Sequence, residues 1–265
     1  MKIHLYLLFS LIAIIMLGCE IPHYYYSSNA MNVPLFDDKN ELSGLVAGSF
    51  GEVNNSFEAQ LGYSTPFNLA FTGSLMTGGI GYARSQPVDK SRISYLEGAG
   101  GFYKPFGRIG IFEIFGGYGR GKESHSFTYV SYDGYFNWTR YADGNADIGF
   151  SKIFLQPDIG VRGKWFEAAV TLRITNIDYT RVDIYNTVYH LDGLNDITIN
   201  HSSVLIEPAF TLRAGFKNVK SQFQIVISNN LSNPDQLYEK TRFNFGLFFN
   251  IPLGNEKKSA GIPVQ

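Results

Sequence analysis

Residues 242–251 read Arg-Phe-Asn-Phe-Gly-Leu-Phe-Phe-Asn-Ile. Phe243, Phe245, Leu247, Phe249 and Ile251 fall on one parity, and Arg242, Asn244, Gly246, Phe248 and Asn250 on the other. Successive side chains of a strand point to opposite faces, so the stretch reads as a strand with one apolar and one polar side. Working outward from it, the same period recurs. Phe223, Ile225 and Ile227 oppose Gln222, Gln224, Val226 and Ser228, and Val204, Ile206, Phe210 and Leu212 oppose Ser203, Glu207, Thr211 and Arg213. Phe166, Ala168, Val170 and Leu172 oppose Glu167, Thr171 and Arg173, and Ile153, Leu155 and Ile159 oppose Gln156, Asp158 and Arg162. Nearer the front, Leu69, Phe71 and Leu75 alternate with Asn68, Thr72 and Ser74, and Phe57, Ala59 and Leu61 with Ser56, Glu58 and Gln60. Leu42, Val46 and Phe50 oppose Ser43 and Ser49, with Leu45 out of step. The Gly-rich stretches Ser94 to Tyr103 and Ile109 to Gly119 also read as strands, because glycine suits a curved or crowded sheet.

About ten strands (8–12) result, and no long segment has a helical period. Short turns near Thr65-Pro66, Phe106-Gly107, Lys164-Trp165 and Lys217-Asn218 alternate with long polar stretches near Gly79 to Arg92, Arg120 to Asp147, Tyr179 to His201 and Asn229 to Thr241. The connection near Gly51 to Asn55 breaks this rule by being short. Aromatic residues (Tyr63, Phe67, Phe106, Trp165, Phe166, Phe216) gather at the short-turn ends. Short turns on one side, long loops on the other and aromatic girdles describe an all-β, antiparallel, up-and-down transmembrane β-barrel. A soluble lipocalin-like barrel or sandwich with its apolar faces turned inward writes the same period and stays open as the alternative.

Composition agrees with a β protein. The 265 residues include 28 Gly, 17 Tyr and 22 Phe with only 17% charged residues, too apolar and aromatic for a disordered chain. A net charge of -1 argues against a nucleic-acid partner, which needs an excess of Lys and Arg. Cys19 is the single cysteine, so neither an intrachain disulfide nor a Cys-based zinc site can form.

Met1 and Lys2 precede an apolar run from Leu5 to Leu17, followed by Gly18 and Cys19. A basic start, an apolar centre too short to span a bilayer and a small residue at the cut make residues 1–18 a secretory signal peptide. Residues 19–40, with Pro22, Pro34 and a Tyr24-Tyr25-Tyr26 run, read as a tether ahead of a barrel over 41–253, and residues 254–265 as a polar tail. Met16-Leu17-Gly18-Cys19, Asn32-Val33-Pro34-Leu35-Phe36 with Lys39-Asn40-Glu41, and the aromatic strand Phe243 to Leu253 together resemble a family of bacterial lipoproteins predicted to form outer-membrane β-barrels, mostly without assigned function. Met16 in place of the usual Leu, and the tail after the last strand, depart from that pattern. The resemblance implies lipidation of Cys19, a bacterial outer-membrane location, a bilayer partner and recognition of the last strand by the barrel-insertion machinery. It carries over no catalytic residue.

With the apolar faces outward, the interior holds Glu58, Glu97, Asp158, Arg162, Glu167, Arg173, Glu207, Arg213 and Arg242. Lys164 belongs to the same polar set. Enclosed charges must pair or stay hydrated, and a barrel of this size is nearly filled by side chains, so the expectation is a plugged lumen of ion pairs with no wide pore. A narrow path for small solutes is the rival. His125 beside Ser124 and Ser126, and His201 beside Ser202 and Ser203, raise a lipid-modifying hydrolase, but no Gly-x-Ser-x-Gly is present and sequence adjacency fixes no triad. Gly98 to Gly101 and Gly116 to Gly119 lack the Gly-Lys-Ser of a phosphate loop. Asp133, Asp143, Asp147, Asp178, Asp183, Asp192 and Asp196 have no calcium-loop spacing. No cofactor, metal or catalytic residue is assigned. The aromatic stretch with Tyr129, Tyr132, Tyr135, Phe136, Trp138 and Tyr141 is the candidate contact surface for an extracellular ligand, or else a hairpin that prolongs the barrel. The expected role is structural, adhesive or binding.

Overall fold

A computed structural model describes residues 24–52, 54–81, 90–132, 138–185 and 194–253. Residues 1–18, expected to be a signal peptide, and Cys19 and the polar tail lie outside the described residues. Alternating segments become β1 (Glu41–Gly51), β2 (Asn55–Ser64), β3 (Leu69–Gly81), β4 (Lys90–Phe106), β5 (Gly110–Tyr132), β6 (Trp138–Arg162) and β7 (Phe166–Tyr185). A short helix α1 (Leu194–Ile199) then precedes β8 (Ser202–Gly215), β9 (Val219–Ile227), the two-residue β10 (Asn229–Asn230) and β11 (Thr241–Pro252). Each long strand pairs antiparallel with the next in the chain. β9 pairs with both β8 and β11, and β11 pairs with β1, so the ten long strands close an up-and-down barrel. The closing seam runs in continuous register from Glu41 opposite Pro252 to Gly51 opposite Arg242. Closure leaves no unpaired edge, which satisfies the main chain without water.

The faces divide by parity. Leu247 is 59% exposed, Leu61 58%, Leu96 65% and Ile153 57%, while Arg173, Arg242, Glu58 and Glu207 on the other parity are at most 1% exposed. Apolar side chains therefore point outward and the charged ones inward. This overturns the soluble alternative, which requires the reverse. Leu45 is out of step because it faces inward, where it packs with Ala47 and Phe248.

The short-turn end is made by residues 65–68, 107–109, 163–165 and 216–218. Asn68 sits at φ 63° and Gly107 at φ 59°, left-handed conformations that Asn and Gly tolerate in tight turns. Phe67, Trp165 and Phe216 stand outward there, with Trp165 edge-on to Phe216. At the opposite end the stretch Arg120 to Asp147, expected as a long loop, is mostly ladder. β5 and β6 stay paired out to Tyr132 opposite Trp138, with an irregularity at Tyr129/Val130. Strand-forming Tyr, Thr, Val and Trp in this stretch favour the ladder over a loop. β7 likewise continues to Tyr185, so the loop expected from Tyr179 begins later.

The largest departure concerns the tether. Residues 24–36 are buried throughout and run inside the barrel. They carry Tyr24, Tyr25, Tyr26, Met31, Val33, Leu35 and Phe36, too much apolar surface to remain in water.

A lumen filled by residues 24–36

The chain enters the described structure at the long-loop mouth. The Tyr25 amide donates to the Leu237 carbonyl (3.0 Å), and the Tyr24 hydroxyl donates to Glu52 (2.5 Å), in the connection between β1 and β2. Tyr25 meets His125 edge-on at 5.6 Å. Further in, the Tyr26 hydroxyl donates to Glu207 (3.2 Å) and the Tyr95 hydroxyl to the Ser27 carbonyl (2.6 Å). At mid-height Asn29 is held from three sides. Its amide donates to Glu97 (2.8 Å), and its oxygen accepts from Lys152 (2.7 Å) and Arg173 (3.3 Å).

Below Asn29 the wall takes hold of the main chain. Ala30 N–H donates to Glu58 (2.8 Å), and the Ala30 carbonyl accepts from Gln60 (2.9 Å). Gln224 both accepts from Met31 N–H (2.8 Å) and donates to the Met31 carbonyl (3.1 Å). The carbonyls of Asn32, Val33 and Leu35 accept from Gln156 (2.9 Å), Arg213 (2.6 Å) and Arg162 (2.8 Å). Leu35 and Phe36 N–H both donate to Glu113, at 3.0 and 2.8 Å. Leu35 has φ 53°, a left-handed conformation that costs about 1–3 kcal/mol in a non-glycine residue. Two hydrogen bonds to the Glu113 carboxyl group, each worth about 0.5–1.5 kcal/mol, offset it. The chain leaves at the short-turn end, where Ser64 donates to the Asp38 carbonyl and Glu41 starts β1. There Asp37 pairs with Arg162 at 2.9 Å. Burial raises the Asp37 carboxyl above its ordinary range, with Arg162 opposing that shift.

The residues expected to line the lumen are gathered into groups around this segment. Glu97 pairs with Arg173 (3.3 Å) and with Lys152 (2.9 Å). Glu167 pairs with Arg213 (3.0 Å), Lys220 (2.9 Å) and, more distantly, Arg162 (3.6 Å), which also grips Glu41 (2.5 Å). Arg242 pairs with Glu239 (2.5 Å) and lies 3.9 Å from Glu58. Glu207 accepts from Tyr26, Thr175 (2.6 Å) and Ser228 (3.1 Å). Asp158 accepts from Gln156 (3.0 Å), next to Glu113 across the ladder. Lys164 is not among them, because it stands in the exposed turn with its ammonium 4.8 Å from the Trp165 ring. Sequence reasoning missed Glu41, Glu113, Glu123, Lys152, Lys220 and Glu239. Lys152 shares the parity of Gln156 and Asp158 on β6, a signal interrupted by the apolar Phe154, whereas Glu113 lies on β5 between the inward, apolar Ile111 and Phe115, which gave no polar parity to follow.

Those inward apolar residues face the segment. Met31, Val33 and Leu35 cluster with Ile111, Ala169, Ala209 and Val226. Phe36 clusters with Ala70, Tyr103 and Phe115. At the long-loop mouth Tyr25 and Tyr26 join Tyr95, Phe150, Tyr179, Ile197 and Tyr238 in an aromatic cap. Gly62 and Gly160 give the segment room. A Cβ at Gly62 would lie 3.1 Å from Phe36, and one at Gly160 2.8 Å from Leu35. A gap beside Asn32, lined by Thr72, Ser74, Glu97, Gln156 and Arg173, has no room for a water-sized sphere.

The histidine–serine pairs do not assemble. His125 points inward to Glu123 (3.3 Å), while the adjacent Ser124 is on the exposed parity. His201 is exposed, and the Ser202 and Ser203 hydroxyls donate to Asn176 (2.9 Å) and Gln236 (2.5 Å). Among the described residues, no group of three His, Cys, Asp or Glu is arranged to hold a metal. The side chains of Tyr129 to Tyr141, with Asp133 and Asp143, and Asp192 and Asp196, lie outside the described residues.

No family model matches the chain, and no curated protein matches it. Among solved structures it is similar to the translocator domain of the autotransporter NalP from Neisseria meningitidis, with 11% identity, a TM-score of 0.45, 80% of this chain and 89% of that one covered. It is also similar to the outer membrane protease OmpT from Escherichia coli, with 10% identity, a TM-score of 0.42, 80% of this chain and 94% of that one. A third is the KdgM porin, with 9% identity, a TM-score of 0.32, 78% of this chain and 98% of that one.

Proposed function

We propose that this chain is a bacterial outer-membrane barrel lipoprotein, lipidated on Cys19, whose lumen is closed by its own N-terminal segment. Its role is structural, adhesive or binding, through what it presents at the long-loop rim. The observation that carries the reading is the pairing of two features in one barrel. The outward parity is apolar around the whole circumference, a surface that hydrocarbon solvates and water does not. The inward parity is polar and spent on residues 24–36, leaving no open path beside Asn32. A barrel built to pass solutes freely would leave its charges to water. Here they pair with one another and with the segment's main chain. The paired β5–β6 extension and the aromatic cap are the parts that stand at the rim, where a ligand of the outer surface would meet the protein.

Membrane-extracted protein run with and without boiling tests the barrel, and planar-bilayer recording tests its closure. The expected result is a faster unboiled band from the outer-membrane fraction and no steady conductance from the intact chain. A steady open conductance would turn the assignment to a narrow channel. Loss of labelled palmitate on Cys19→Ala tests the lipid.

A further inference from the structure

The course of residues 24–41 fixes which mouth of the barrel the mature N-terminus leaves by. The segment is anchored at its upstream end among long-loop elements, by Tyr24 to Glu52 and Tyr25 to Leu237. It is anchored at its downstream end beside the short turns, by Phe36 to Glu113 and Asp38 to Ser64. It therefore runs through the lumen from the long-loop mouth to the short-turn mouth, and β1 starts back from there. Cys19 lies five residues upstream of Tyr24. Five extended residues reach at most about 18 Å. An apolar barrel band is about 25 Å tall, so Cys19 cannot return over the rim to the short-turn leaflet. The way back through the lumen is filled by residues 24–36 themselves.

We infer that the mature N-terminus, with any lipid on Cys19, is held on the long-loop side of the membrane, the barrel lumen serving as the conduit by which the chain reaches that side. The inference rests on the barrel reading given above, and its lipid part on the lipidation of Cys19. In an outer membrane the long-loop side is the cell surface, so the acyl chains occupy the outer leaflet.

Single-cysteine labelling with a membrane-impermeant maleimide on whole cells tests this. His23→Cys reports the N-terminus, Gly134→Cys the β5–β6 connection and Asn218→Cys the short-turn end. Heat-modifiability of each variant verifies that it is folded. His23→Cys is expected to label to the same extent in intact and permeabilised cells, as does Gly134→Cys, while Asn218→Cys labels only after permeabilisation. Labelling of His23→Cys on the side of Asn218→Cys overturns the inference. If Gly134→Cys and Asn218→Cys exchange sides, the assigned orientation in the membrane fails, but shared sidedness of positions 23 and 134 still supports the N-terminal course. Labelling of the unsubstituted chain would show a free Cys19 thiol, which removes the lipid and leaves the sidedness to be read from Cys19 itself.

Discussion

Strand β11 and residues 24–36 are both rich in aromatic and aliphatic side chains, and the main chains of both find their hydrogen-bond partners within the protein. They differ in what satisfies those main chains. β11 has a partner strand on each side, β1 and β9, and its amides and carbonyls are used up in two ladders. The segment has no ladder. Tyr25 and Tyr26 still bond to the main chain of Leu237 and Glu239, but from Ala30 to Phe36 the peptide groups are taken one by one by side chains, Glu58, Gln224, Gln156, Arg213, Arg162 and Glu113. A ladder separates two media and so writes a period of two in its sequence. A segment surrounded on all sides by one wall has a single medium, and it writes no period.

The comparison breaks most sharply when the segment is removed. Replacing residues 24–36 by a Gly/Ser run of equal length leaves every ladder intact but strips the lumen of its filler. Steady conductance is expected in planar bilayers where the unaltered chain has none, with a large fall in the temperature at which the unboiled band converts. A barrel that stays closed would mean that the wall charges fill the lumen without the segment. The next effect is Arg173→Ala. This guanidinium joins Glu97 to Gln156 and touches Asn29, so its loss leaves Lys152 as the one cation paired with Glu97, beside the Asn29 amide. Breaking one partner of a buried ion pair costs about 3–5 kcal/mol. A denaturant titration of the barrel in detergent measures it. A change below 1 kcal/mol would show that water replaces the arginine.

Leu247→Arg probes the other medium. Leu247 is on the outward parity of β11, far from the segment. A cation on the lipid face near the middle of the band costs about 2–4 kcal/mol in a bilayer. The same substitution on a water-facing surface would cost almost nothing. Refolding into lipid vesicles should therefore show the loss, with no rise in conductance because the lumen is untouched. The two substitutions separate what the outside and the inside each contribute.

The same contrast explains what could be read from the sequence. β11, β9, β8 and β7 were legible because their inward parity is largely polar, as in Gln222 and Gln224 or Thr171 and Arg173. The wall at β4 and β5 was harder to read because it is Gly-rich and because Tyr95, Ile111 and Phe115 place apolar groups on the inward face as well. Tyr95 belongs to the aromatic cap, and Ile111 and Phe115 pack on the segment. Their disorder of pattern was thus a trace of the filler, although parity alone could not say what they face. Residues 24–36 were illegible for the complementary reason. Pro34, the left-handed Leu35 and the lack of alternation resemble a linker, because the hydrogen-bonding partners that order them lie some 30 to 190 residues away in the chain. The lumen charges were found by parity, but their groupings depend on the barrel's curvature, which no local spacing encodes.

The smallest expected effect bears most directly on how the two main chains differ. Gln224 treats Met31 as a neighbouring strand would, since its oxygen accepts from the Met31 amide and its nitrogen donates to the Met31 carbonyl and to Thr211 (2.8 Å). A carboxamide carries the same donor and acceptor as a peptide group, which is why one side chain can stand in for a ladder rung. Gln224→Leu keeps the bulk and removes both rungs, so Met31 is left with a buried amide and a buried carbonyl unpaired. The expected loss is about 1–3 kcal/mol, read as a lower midpoint in the same denaturant titration. Gln224→Glu keeps the acceptor and withdraws the donor, so it should restore the bond to the amide only and bury a charge that Thr211 alone can answer. If Gln224→Leu costs nothing, the segment's main chain is satisfied by water in the lumen. Its path would then be held by its aromatic residues and by Asn29, and the likeness between side chain and rung would be geometric only.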